Sequence, residues 1–218
     1  MDLVIINASP RGNGNSGLIA GAFVEGAALA GARSEYHCLS DRNCWGEALS
    51  AVCRAEHILF VLPLFLECIP GTLMEFLEQL QPRLRREPSV VTRKMSFILH
   101  SGFPEACQRR CCEQYLKKLP AMLDSCFAGI LSRGDTFFLS NVEPEQAVGL
   151  LDAYRDMGRQ FVEHGGNFLF SEAEDFTGAE YMTSRDARYY NRLAEIFLVQ
   201  QAKRQGCSVP LDAAPYVP

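Results

Sequence analysis

Leu3-Val4-Ile5-Ile6 is an unbroken apolar run rich in β-branched side chains, and it stops at Asn7-Ala8-Ser9-Pro10. A run that is apolar on both faces and bounded by turn residues reads as a strand buried in a parallel sheet. From Ser16 the pattern changes. Leu18, Ile19, Ala22, Phe23 and Ala27 recur at helical spacing as far as residue 30, and Gly31 supplies a stop. The alternation then repeats, with strands expected at 36–39, 58–62, 95–99 and 127–131 and helices at 46–55, 71–84, 105–123 and 144–164. Strands alternating with helices over short connections predict a five-stranded parallel sheet covered on both faces, with right-handed crossovers. In such sheets ligands sit beyond the carboxyl ends of the strands, at the point where strand order reverses. The loops after the first, third and fourth strands are therefore expected to carry the chemistry.

After His164 the pattern weakens through Gly165-Gly166-Asn167 into an acidic stretch, and a last helix is expected at 184–204. Tyr189, Tyr190, Leu193, Phe197 and Leu198 give it an apolar face suited to packing on the same domain. The tail at 207–218, with Pro210, Pro215 and Pro218, reads as irregular. The expected organisation is one domain at 1–165 and an extension at 166–218.

A chain of 218 residues that is 48% hydrophobic can bury one substantial core. The formal net charge of −5 argues against a nucleic-acid partner, which calls for a basic surface. Arg83, Arg85 and Arg86 read as a solvated helix end. The longest apolar run, 58–66, is interrupted by Pro63 and falls short of the roughly 20 residues of a membrane span. With no signal-peptide pattern at the start of the sequence, a cytoplasmic protein with no membrane partner is expected. The nine cysteines are expected to be reduced thiols. Cys38, Cys44 and Cys53 lack a C-x-x-C pair, and Cys107, Cys111 and Cys112 fall on one helix, so no metal site is expected.

Ser9-Pro10-Arg11-Gly12-Asn13-Gly14-Asn15-Ser16 follows a strand and opens a helix. Its amides converge on the positive end of that helix, where an anion is favoured. Ser9, Asn13, Asn15 and Ser16 add neutral donors and Arg11 adds charge, a mixture suited to a phosphate monoester. A nucleoside-triphosphate loop is excluded because its lysine is absent. Gly12, Gly14 and Gly17 satisfy the dinucleotide pattern G-x-G-x-x-G literally, with Glu35 placed to meet a ribose. Pro10 and Arg11 nevertheless stand between the strand and the first glycine, which favours the monophosphate. A glycine-rich turn without a ligand is the third alternative.

Ser9-Pro10-Arg11 through Asn15-Ser16 resembles the strand-one signature of the flavodoxin-like NAD(P)H-dependent FMN reductases and quinone reductases. Pro63-Leu64-Phe65-Leu66-Glu67-Cys68-Ile69-Pro70 is similar to that family's Pro-x-Tyr loop, and Ser101-Gly102-Phe103-Pro104-Glu105 to a glycine-containing loop of its relatives. The resemblance implies a flavodoxin-like three-layer α/β/α sandwich with sheet order 2-1-3-4-5. It implies FMN, with NADH or NADPH as electron donor and a quinone, flavin or other small molecule as acceptor, in a homodimer. Ser9, Arg11, Asn13, Asn15 and Ser16 would hold the phosphate. Pro63, Leu64, Phe65 and Leu66 would border the isoalloxazine, and Ser101, Gly102, Phe103 and Glu105 would meet its polar edge. Phe65 departs from the family in lacking the tyrosine hydroxyl. Phe65 and Phe103 also suit plain capping of the sheet, and Glu105 suits a helix dipole. No catalytic side chain is assigned, and His100 is expected to be a hydrogen-bonded structural histidine. A flavodoxin-type electron carrier, a non-catalytic flavin-binding protein and an NAD(P)-binding protein are the rival functions.

Overall fold

The computed structural model describes residues 1–86, 92–137, 139, 144–169 and 176–206, so the tail at 207–218 lies outside the described residues. The continuous apolar runs become the central strands β1 (Asp2–Asn7), β3 (His57–Pro63) and β4 (Lys94–His100). With the edge strands β2 (Arg33–Cys38) and β5 (Cys126–Arg133) they form one parallel sheet in the order β2-β1-β3-β4-β5. Pro63 lies opposite His100, so β3 and β4 end level and their loops leave the sheet side by side. Asn7 lies opposite Val61, which brings the loop after β1 out beside them.

The helices are α1 (Asn15–Leu29), α2 (Trp45–Arg54), α3 (Gly71–Arg86), α4 (Arg110–Met122), α5 (Pro144–Glu163) and α6 (Ser184–Arg204). Side chains alternate across the strands and build a core on each face of the sheet. Ile6, Phe60 and Phe97 meet Trp45, Phe76 and Leu116 on one side, while Ile5, Leu59 and Ile98 meet Phe23, Tyr154 and Phe161 on the other.

Two boundaries differ from the pattern-based expectation. β2 starts at Arg33: Arg33, Ser34 and Glu35 pair with β1 despite their polarity, because at the sheet edge their side chains remain at least partly exposed. The helix expected from residue 105 starts at Arg110, after a single 3-10 turn at Ala106–Arg109. A regular helix from Glu105 would bond its carbonyl to the amide of Arg109. That carbonyl instead accepts from the Arg109 guanidinium at 3.1 Å.

The chain divides into a compact unit at Met1–Glu180 and a second at Tyr181–Pro218. Phe168 and Phe176, beyond residue 165, are buried in the core of the first unit, and the Phe168 amide donates to the Ala128 carbonyl on the outer edge of β5. In the second unit, Thr183 and Asp186 form a reciprocal cap on α6. On its apolar face Tyr190, Leu193 and Phe197 are half-buried, Tyr189 and Leu198 are exposed, and no residue of the helix is fully buried.

α1 and α5 pack backbone to backbone. A Cβ at Gly26 would lie 1.7 Å from the Arg155 carbonyl oxygen, and one at Gly158 would lie 2.2 Å from that of Phe23. Gly26→Val is therefore expected to destabilise the protein by about 3 kcal/mol or more in urea unfolding, the upper end of overpacking costs. Gly21→Ala, on the same helix with nothing within 4 Å of its Cβ, is expected to be neutral or to stabilise by up to about 1 kcal/mol. Equal effects at the two positions would contradict the close helix contact.

Candidate functional site

The loop after β1 is shaped by polar side chains turned onto its own backbone. Asn7 is fully buried; its Oδ1 accepts from the Ser9 amide at 3.1 Å and its Nδ2 donates to the Tyr36 hydroxyl at 2.8 Å. Ser9 is buried as well, and its Oγ accepts from the Arg11 amide at 3.2 Å. Two such bonds in succession reverse the chain, which enters α1 at Gly14 without a side-chain cap. Among the described residues no acceptor is bonded to the amides of Asn15 and Ser16, while those of Gly17 and Leu18 return to the Gly14 carbonyl. Arg11, Gly12 and Asn13 are exposed. A Cβ at Gly17 would press on the Gly12 carbonyl oxygen at 3.1 Å, which accounts for glycine there. The turn is open, and a cavity of about 830 Å³ runs beside it between Gly12, Gly17 and Gly21 on one side and Tyr36, Cys38 and Ser40 on the other.

The remaining polar side chains of the loop point into the fold. Asn15 Nδ2 donates to the Thr136 carbonyl, and its Oδ1 is buried. Ser16 is 1% exposed, with Oγ 2.7 Å from His100 Nε2. The other ring nitrogen of His100 lies 3.0 Å from Thr136 Oγ1, which in turn donates to the Ser101 carbonyl at 2.8 Å. Proton accounting orients this chain. The Thr136 hydroxyl proton is committed to Ser101, so Thr136 accepts from Nδ1–H, and Nε2 accepts from Ser16. Burial pushes the His100 pKa down to about 3, which keeps the ring neutral. Ser9, Asn15 and Ser16 thus shape the turn, and of the loop's polar side chains those of Arg11 and Asn13 are exposed.

The loops after β3 and β4 supply apolar surface beside it. The Leu64 amide donates to the His100 carbonyl at 2.8 Å, continuing the β3–β4 ladder past half-buried Pro63. Phe65 and Cys68 then exchange both backbone hydrogen bonds, at 3.0 and 2.9 Å, around Leu66 and Glu67. Leu66 at φ 46° and Glu67 at φ 64° occupy the left-handed region, which costs residues with a Cβ about 1 kcal/mol each. Leu66 is 100% exposed at the tip and Phe65 is 40% exposed. Across the gap, Phe103 is 48% exposed and Gly102 packs under the Phe137 ring. The Glu105 carboxylate accepts from Gln108 Nε2 at 2.6 Å.

One residue that the sequence reading passed over organises the third loop. Arg109 is fully buried and donates to Ser101 Oγ at 3.1 Å, to the Glu105 carbonyl at 3.1 Å, to Ser132 Oγ at 2.9 Å and to the Thr177 carbonyl at 2.8 Å. Burial lowers its pKa, and the nearby Glu113 carboxylate opposes that shift. Ser101 Oγ passes its own proton to the Phe103 carbonyl at 2.8 Å, so its hydroxyl is also used internally. Glu35, the ribose partner of the dinucleotide reading, lies opposite Val4 in mid-strand and bonds His37 at 2.9 Å, away from the loop.

The neutral histidine has a sign that can be checked. Above its ordinary pKa of 6.5 both states are uncharged, and between 6.5 and about 3 only the unfolded chain takes the proton. Stability is therefore lost as pH falls through this window. The stability of the wild type is expected to fall faster with falling pH than that of His100→Leu, by up to about 1.4 kcal/mol per pH unit. Parallel pH curves for the two proteins would contradict a neutral, buried His100.

No protein-family model and no curated protein sequence matches the chain. Solved structures do. An NAD(P)H:quinone oxidoreductase from Methanothermobacter marburgensis superposes with a TM-score of 0.60 at 17% identity, over 75% of this chain and 96% of that one. An FMN-dependent NADH-azoreductase from Bacillus anthracis gives 0.56 at 17% identity, over 77% and 100%. A WrbA-like flavodoxin protein from Agrobacterium tumefaciens gives 0.52 at 17% identity, over 80% and 98%. Sheet order and these neighbours together establish that the chain has the flavodoxin-like α/β fold.

Proposed function

We propose that this chain binds FMN non-covalently and acts as an NAD(P)H-dependent oxidoreductase that passes electrons to a quinone, a flavin or another small acceptor. The reading rests on two features taken together, an anion cradle and an apolar ledge. The cradle is the open glycine turn, and the ledge is formed by Phe65, Leu66 and Phe103 at neighbouring strand ends. Both lie at the carboxyl end of the sheet where the order reverses between β1 and β3, the place such folds use for ligands.

The residues present fit FMN. The unbonded amides of Asn15 and Ser16, with Asn13 and the Arg11 guanidinium, would hold the phosphate. Phe65 and Leu66 would shield one border of the ring from water, and the backbone of 101–103, held by Arg109 through Ser101, would meet its polar edge. When bound, the flavin supplies the redox chemistry, taking hydride from a nicotinamide and giving electrons to the acceptor. Backbone amides fixed in place stabilise negative charge without reorganising, so no side chain of the site has to serve as nucleophile or proton donor. The solved structures of this fold named as NAD(P)H:quinone oxidoreductase and FMN-dependent NADH-azoreductase support the same reading. It extends to a cytoplasmic homodimer in which the second copy covers part of the flavin.

Apo protein is expected to quench FMN fluorescence on titration, and Arg11→Glu to weaken that binding about tenfold through loss of a charge-assisted contact. Anaerobic NADH or NADPH should then bleach the bound flavin. Failure to bind FMN, or a bound flavin that neither nucleotide reduces, would overturn the assignment.

A further inference from the structure

A second cavity, of about 400 Å³, opens at the outer edge of the sheet between β5, α4, Phe168 and the residues Thr177, Gly178 and Glu180. Among the described residues, no member of the loops at 9–16, 63–68 or 101–105 lines it, so it is distinct from the candidate flavin site. Its apolar side consists of Phe127, Ile130 and Phe168. The Phe127 ring is stacked on Phe97 at 6.3 Å and remains 39% exposed, which gives the cavity a supported aromatic wall.

α4 supplies the polar side with Arg110, Glu113 and Lys117, spaced to lie on one helix face. Two of these three are already committed. Arg110 donates to Glu113 Oε2 at 2.8 Å and to the Glu180 carboxylate. Glu113 is 4% exposed, and its other oxygen accepts from Ser132 Oγ at 2.6 Å. Lys117 lines the same cavity and has no ion-pair partner among the described residues. The space is of the size that takes a small organic ligand. The guanidinium groups of Arg110 and of buried Arg109 together balance the carboxylates of Glu113 and Glu180, which leaves the Lys117 ammonium in excess, and with the apolar walls it favours a ring carrying one negative charge.

We propose that this cavity is a binding site for a small aromatic monocarboxylate, with the ring against Phe127 and Ile130 and the carboxylate on Lys117. The probe is 1-naphthoate, titrated calorimetrically into the full chain, with 1-naphthalenemethanol as the uncharged comparison. One-to-one binding in the range of about 10 to 500 µM is expected, with the alcohol at least about tenfold weaker. Lys117→Glu should weaken 1-naphthoate at least about tenfold. Lys118→Glu, at the adjacent exposed lysine that does not line the cavity, should stay within about twofold. Absence of saturable binding below about 1 mM, or equal losses in the two lysine variants, would overturn the proposal. So would a loss of affinity in Arg11→Glu with none in Lys117→Glu, because the probe would then sit at the loop after β1. None of these outcomes depends on whether FMN binds.

Discussion

The carboxyl edge of the sheet is held by buried hydrogen bonds that run from loop to loop, and what is presented there depends on their being made. Ser16, His100, Thr136 and Ser101 form a single oriented chain that ties the first turn of α1 to the ends of β4 and β5. Arg109 adds a second tie, from the same Ser101 to β5 and to the segment at Thr177. An unpaired polar atom in such surroundings costs on the order of 1–3 kcal/mol. The loops after β1 and β4 are therefore tied to each other and to the end of β5. A site whose geometry is set before the ligand arrives avoids the ordering cost of binding.

The same constraint explains which sequence inferences held. The strands at 3–6, 58–62 and 95–99 were legible because central parallel strands must be apolar on both faces. β2 was legible only in its second half, because its polar residues carry no such signature. The delayed start of α4 was hidden because it depends on where one guanidinium goes, and Arg109 stands in a polar run that contains another arginine. Phe168, in the short apolar run Phe168-Leu169-Phe170, and Phe176 lie in a stretch without helical periodicity. Nothing local distinguishes them from exposed residues, although they complete the core beneath α5.

At the site, residue types were legible and their directions were not. The strand-to-turn-to-helix order and the glycines point to an anion whichever way the side chains face. A serine or asparagine at a helix entry serves a ligand or the backbone equally well, and tertiary contacts decide between them. Here the side chains of Ser9, Asn15 and Ser16 are hydrogen-bonded within the fold. His100 could be read as structural from its place at the end of an apolar strand. Its partners, 84 and 36 residues away in sequence, could not be read at all.

The central claim is that main-chain amides of the first loop, rather than its hydroxyls, receive a phosphate ester. Amide spectra of uniformly ¹⁵N-labelled protein titrated in parallel with FMN and riboflavin test it most directly. Downfield amide proton shifts at Asn13, Asn15 and Ser16 are expected with FMN and not with riboflavin. Identical shifts with both flavins, or no change at these three amides on saturation with FMN, would contradict it.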